Sequence, residues 1–122
     1  MGKMYQDFEQ WLNGVLDQAM PIEAVAVCFN LYEETDDHWS IQLVATESFD
    51  EEDPDWPCYE VFTTGEELFR WQQKTAWEEI LERSKQLVSD YLAGGKYADA
   101  FKKYAAVGIG FVDGDVEVLF KQ

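Results

Sequence analysis

The residues of this chain best placed to do chemistry are carboxylates, and they are crowded. Phe49-Asp50-Glu51-Glu52-Asp53-Pro54-Asp55-Trp56 holds five acids in six positions with an aromatic at each end. Carboxylates are not buried unpaired, and the segment contains no base, so its spacing predicts an exposed loop. Two roles suit such a loop. It is either a solvated connection or a recognition element, whose acids steer a basic partner while Phe49 and Trp56 supply apolar anchors. Glu33, Glu34, Asp36 and Asp37 form a second acidic group in the same half of the chain, with Trp39 close by as a further candidate anchor. Calcium is the other chemistry an acidic loop suggests. An EF-hand loop needs oxygen ligands at positions one, three and five, Gly at six and Glu at twelve. Pro54 interrupts that pattern and no Gly follows.

The remaining reactive residues are few. Cys28, Cys58 and a lone His38 cannot assemble a usual four-ligand zinc site without carboxylates. A Cys58–His38 nucleophile pair lacks any neighbour that would activate the thiolate, and the surrounding acids oppose it. Paired carboxylates of the glycosidase kind are uninformative where acids are this abundant. The expectation is a chain with no catalytic residues, no metal and no cofactor. Asp113-Gly114-Asp115 reads as a hairpin turn rather than a metal motif.

The charge is distributed unevenly over the 122 residues. Residues 1–69 hold 17 acids against the single base Lys3, whereas residues 70–122 hold eight of each, so the net charge of −16 belongs to the first part. Acidity that served solubility alone would spread over every exposed face. Salt adaptation would deplete lysine throughout, and the second half is ordinary. Concentration of like charge costs stability by self-repulsion, which points to a partner, and the sign excludes direct binding to nucleic acid or an anionic membrane. A composition that is 47% hydrophobic and 16% aromatic excludes a disordered acidic tail. The apolar stretches are too short to span a membrane. The opening MGKMYQDFEQ lacks the signature of an export leader. Two cysteines then suggest buried free thiols in a reducing cytoplasm.

The elements that position these residues follow from periodicity. Tyr5, Phe8, Leu12, Val15, Leu16 and Ala19 recur at three- and four-residue spacing, predicting a helix from Tyr5 to Ala19 that Pro21 stops. Residues 22–33 read as a strand, with Val25, Val27, Phe29 and Leu31 on one face and smaller residues on the other. His38 to Thr46 reads as its hairpin partner, and Cys58 to Thr63 as a third strand. Thr64 to Lys74 reads two ways, as a short helix or a docked loop. Thr75-Ala76-Trp77-Glu78 has the form of a capping box opening a long helix, which the Gly94-Gly95 pair ends with a left-handed residue. A short helix from Lys96 to Tyr104 follows. Val107, Ile109 and Phe111, then Val116, Val118 and Phe120, alternate about an Asp113-Gly114 turn. Gly108 and Gly110 leave a bare strip on which a bulky side chain such as a Trp can lie. Trp39, Phe62, Trp71, Trp77 and Tyr91 read as core in preference to a ligand pocket. The sum is a single α+β domain, residues 1–122, in the order α-β-β-β-α-α-β-β. Its five-stranded sheet is expected to be mostly antiparallel, with helices packed on one side.

A small α+β domain with a one-sided acidic surface resembles the immunity proteins of bacterial polymorphic and contact-dependent toxin systems. The likeness rests on Phe49 to Phe62, an acidic loop that runs through Trp56-Pro57-Cys58 into a strand. The resemblance implies a cytoplasmic inhibitor that binds and blocks a cognate toxin domain, often a basic nuclease. Glu33, Glu34, Asp36, Asp37, Phe49, Asp50, Glu51, Glu52, Asp53, Asp55 and Trp56 would be the partner-binding residues. The alternatives are an acidic interaction module with no inhibitory role and a small-molecule-binding domain.

Overall fold

A computed structural model of the chain describes residues 3–17, 24–53, 55–65, 67–112 and 114–122. Helix α1 (Lys3–Leu16) buries Phe8, Leu12 and Val15 along one stripe, as the three- and four-residue spacing requires. The expected continuation to Ala19 and the stop at Pro21 lie outside the described residues. Strands β1 (Ala26–Glu33) and β2 (His38–Thr46) form an antiparallel hairpin with Ala26 opposite Thr46 and Glu33 opposite Trp39. Asp36 and Asp37 at its tip both adopt positive φ, 58° and 59°. Positive φ at both central residues is the type I′ geometry that matches strand twist, and aspartate tolerates it.

The outer edge of β2 carries two strands where one was expected. β3 (Glu60–Thr63) pairs with residues 44–46, and β4 (Phe69–Gln72) pairs with residues 38–41, both antiparallel. They are two pieces of one edge, separated by an excursion in which Gly65 takes a φ of +61°. The segment from Thr64 to Lys74 is therefore neither helix nor plain loop. Phe69 is buried and Trp71 half-buried while Arg70 and Gln72 are exposed, but four residues of alternation are too few to announce a strand.

Helix α2 (Trp77–Gly94) and the single turn α3 (Ala98–Phe101) lead to β5 (Ala106–Phe111) and β6 (Glu117–Lys121). β5 lies parallel to β1, with Phe29 opposite Ile109, and β6 closes the far side antiparallel to β5. The sheet is thus six-stranded and mixed, in the order β3-β2-β1-β5-β6 with β4 also on β2. The five-stranded, mostly antiparallel expectation is corrected on both counts. Each hairpin is antiparallel within itself, but the hairpins meet across the α2–α3 crossover, which returns the chain in the direction of β1.

Two further expectations change in detail. Ala76, not Thr75, precedes the first helical residue of α2, and the Thr75 hydroxyl donates to the Glu79 carboxylate at 2.6 Å instead of capping the backbone. Gly95 is extended, with φ −71°, rather than left-handed. Its missing side chain makes room for Tyr91, whose ring would stand 2.6 Å from a Cβ placed there. The helix predicted from Lys96 to Tyr104 is confined to α3.

The helices cover one face of the sheet. Phe8, Leu12, Leu87, Val88, Tyr91 and Phe101 pack on Val27, Phe29, Leu31, Ile41, Leu43, Val107 and Ile109. The Tyr91 hydroxyl is held at both ends of its hydrogen-bonding capacity. It donates to Asn13 Oδ1 at 2.6 Å and accepts from the Tyr97 amide at 3.2 Å, tying α1, α2 and the start of α3 together.

Candidate functional site

The opposite face of the sheet is covered by the acidic loop. Small residues on that face, Ala26, Cys28, Val44 and Ala106, form a shallow second core, and Trp56 fills it. Trp56 is 4% exposed, and its ring lies 2.9 Å from where a Cβ on Gly108 would stand. The strip thus receives a tryptophan at Gly108, and that tryptophan comes from the acidic loop, while Gly110 lies under the Asp115–Val116 backbone. Phe49 packs edge-on against Trp56, with ring centroids 5.1 Å apart. The aromatics that flank the acids are therefore fasteners. Trp56 is buried, Phe49 is half-buried, and neither stands out from the surface as a free anchor. Trp39 is also buried, its indole donating to the Gln73 carbonyl at 2.9 Å.

The carboxylates of the loop divide into two kinds. Asp50 accepts from the Glu52 amide, and Asp53 accepts from the Asp55 amide, each at 2.9 Å. These are Asx turns, in which a side chain satisfies an amide two residues on. Asp53 also accepts from the Tyr59 hydroxyl at 3.0 Å, and this bond, with the aspartate's charge, raises the Tyr59 pKa above its usual value. Glu51 is paired with Lys121. Among the described residues only Glu52 and Asp55 of this loop have carboxylates without a polar partner. The absence of a base within the segment did not leave Glu51 unpaired, because Lys121 arrives from the other end of the chain.

The second acidic group stands elsewhere. The tip bearing Glu33, Glu34, Asp36 and Asp37 precedes His38 at one end of β2, whereas the loop begins beyond Thr46 at the other. Eight residue steps of extended chain separate these ends by about 26 Å. The two groups thus occupy opposite ends of the sheet. Glu34 pairs with Arg70 at 3.2 Å, while Glu33, Asp36 and Asp37 have no ion-pair partner among the described residues. The same separation parts Cys58 from His38, since Tyr59 pairs with Glu47 next to the far end of β2.

Beside the tip, at the carboxyl ends of β1 and β5, lies an open groove of about 850 Å3 between α2 and the β5–β6 hairpin. Trp77 and Val112 on its walls are 53% and 52% exposed. Trp77 meets Phe111 edge-on at 6.0 Å, and Phe111 meets Trp39 in turn at 6.1 Å. Glu33, Glu82, Asp115 and Glu117 line the same groove with a single base, Lys85. Lys85 bridges Glu117 at 3.1 Å and Glu82 at 3.2 Å, and these bonds raise its pKa. Trp77, expected in the core with the other large aromatics, is exposed instead. It escapes burial because it is the first residue of the helix, one turn before Ile80, where the fully buried stripe begins. Of the other aromatics assigned to the core, Tyr91 is buried and Phe62 and Trp71 are half-buried.

The thiols also differ. Cys58 is exposed and lies in the 3₁₀ turn Trp56–Cys58, not in a strand. Cys28 is buried beneath Trp56, and burial, then the neighbouring Cys58, push its pKa up to about 12. Titration of native protein with a thiol reagent at about pH 8 is expected to consume one equivalent rapidly and the second only on unfolding. Two rapid equivalents would show that the Trp56 cover opens readily. Among the described residues no three His, Cys, Asp or Glu side chains gather as a metal site, and no helix is long and apolar enough to cross a membrane. Comparison of the chain with protein-family models, curated proteins and solved structures gives no match to any of them.

Proposed function

We propose that this chain is a binding protein that engages a basic partner protein through its acidic surface and neutralises it, in the manner of an immunity protein. The observation that carries the reading is that the acids stand on fixed backbone. The loop is pinned to the sheet by Trp56 and braced internally by its Asx turns, and the tip is set in a type I′ turn. A preorganised array of like charge raises the association rate with a complementary surface and loses little entropy on binding. A toxin that grips phosphates has a positively charged site, which such an array can occupy.

The test is capture of partners from the source cell's lysate, followed by assay of the captured protein's own activity with an equimolar amount of this chain. A basic protein retained at low salt, released at high salt and inhibited on mixing supports the proposal. Retention without inhibition makes the chain an adaptor, and failure to retain any basic protein overturns the reading. Glu52→Gln combined with Asp55→Asn is expected to slow association with little change in melting temperature, because these carboxylates hold nothing in the fold. Replacement of Asp50 and Asp53 by alanine would instead loosen the loop.

A further inference from the structure

Attraction between charged surfaces accelerates encounter, but tight complexes depend on a few desolvated anchors, enriched in Trp, Tyr and Arg. The acidic loop has spent its aromatics on the sheet, so an anchor on this surface must lie elsewhere. Among the described residues the large apolar side chains that are exposed are Val25, Tyr59, Trp77, Val112 and Val118. Of these, Trp77 and Val112 share a concave surface with carboxylates. Lys85 is already engaged by Glu82 and Glu117. Glu33 and Asp115 are left without an ion-pair partner among the described residues, on the walls of a groove whose largest exposed side chain is an indole.

We propose that this groove is the docking site for an arginine side chain of the basic partner, the guanidinium plane lying on the Trp77 indole and its N–H groups turned to Glu33 and Asp115. The assignment follows from chemistry that the two halves of the groove demand together. An indole face attracts a cation, carboxylates attract one more strongly, and a planar guanidinium satisfies both while keeping its donors in plane for the oxygens. A lysine ammonium is a strongly hydrated point charge that cannot stack. Phosphate-bearing ligands are repelled by the same carboxylates. Phe111 stands perpendicular to the Trp77 indole at 6.0 Å and meets Trp39 in turn at 6.1 Å, so the indole rests on packed aromatic surface. Val112 offers apolar surface for the arginine methylenes. The inference rests on the basic-partner reading and adds to it the place and the residue type of the anchor.

The experiment is an amide and indole NMR titration of the intact chain with the peptide acetyl-Gly-Arg-Gly-amide at low salt, carried to tens of millimolar. Parallel titrations use the lysine and citrulline peptides. The arginine peptide is expected to shift the Trp77 indole N–H and the Phe111 and Val112 amides saturably. The lysine peptide should bind about threefold more weakly or worse, and the uncharged citrulline peptide should produce no saturable shift. Trp77→Ala should remove the response, and it should leave the fold intact because half of the side chain is already in water. Equal shifts from arginine and lysine spread over residues 33–37 and 50–55 would overturn the inference in favour of diffuse electrostatic attraction. Saturable binding of citrulline would overturn it in favour of a small-molecule site, and no saturable shift at the groove would overturn it outright. None of these results bears on whether the captured basic protein is inhibited. Failure of the groove and failure of the basic-partner reading are therefore separate outcomes.

Discussion

Trp56→Ala is expected to destabilise the protein by about 3–5 kcal/mol, the range for deleting a large buried aromatic. The side chain is 4% exposed and is the largest member of a thin layer whose other buried members are Ala26, Cys28, Val44 and Ala106, with Phe49 and Val116 packed at its margin. The four buried residues are too small to move into the space it vacates and Phe49 and Val116 can fill it only in part, so a cavity term adds to the lost transfer term. Gly108 deepens the effect, because it has no side chain to offer the void. The acidic loop would lose its attachment, and Phe49 would lose its edge-on contact. Denaturant unfolding followed by far-UV circular dichroism measures the loss, and reactivity of Cys28 reports where it acts. The Cys28 thiol should become reactive in the folded variant, giving two rapid equivalents in place of one. A loss below about 1 kcal/mol, with Cys28 still protected, would show that the loop does not close this face.

Gly110→Ala is expected to cost about 3 kcal/mol or more, although it adds a single methyl group. A Cβ at this position would stand 2.4 Å from the Asp115 carbonyl oxygen and 3.1 Å from the Val116 Cα. Both obstacles are backbone, and backbone cannot rotate aside, so the segment entering β6 must shift away from β5. Gly108→Ala meets side chains, the Trp56 ring at 2.9 Å and a Val116 methyl at 3.0 Å. Side chains yield, and the expected cost is about 1–2 kcal/mol. The two substitutions should also couple differently to Trp56→Ala. Removal of the indole should relieve most of the Gly108→Ala penalty and none of the Gly110→Ala penalty, a contrast that a double-mutant cycle resolves. Equal costs for the two glycine substitutions would mean that the β5–β6 connection gives way as easily as a side chain.

The sequence carried the parts of this fold that depend on local pattern. Three- and four-residue spacing announces α1, the same spacing of Trp77, Ile80, Leu81, Leu87, Val88, Tyr91 and Leu92 announces α2, and alternation announces β1, β2, β5 and β6. The glycine strip foretold the bulky neighbour found at Gly108, but not the backbone that lies over Gly110. Signals that depend on few residues failed. The alternation in β4 is four residues long, and the capping-box pattern at Thr75 did not become a cap. The parallel pairing of β1 with β5 has no local signature, because strand direction across a helical crossover is set by how hairpins pack and not by either strand's composition.

The same division runs through the candidate site. Composition alone determined that the charge excess belongs to residues 1–69 and that the loop at Asp50–Asp55 is held at the surface, since burial of unpaired carboxylates is prohibitive. Only the tertiary structure decided which acids are free. Compensation of charge acts through space, so Lys121 reaches Glu51 and Arg70 reaches Glu34 across stretches of chain that contain no hint of the pairing. It also decided which tryptophan faces water. Trp56, at the end of a run of acids, goes inward because the bare Gly108 lies opposite it. Trp77, on an apolar stripe, stays outside because it stands one turn before that stripe is buried. Burial belongs to what packs against a residue, and that is not written in its neighbours along the chain.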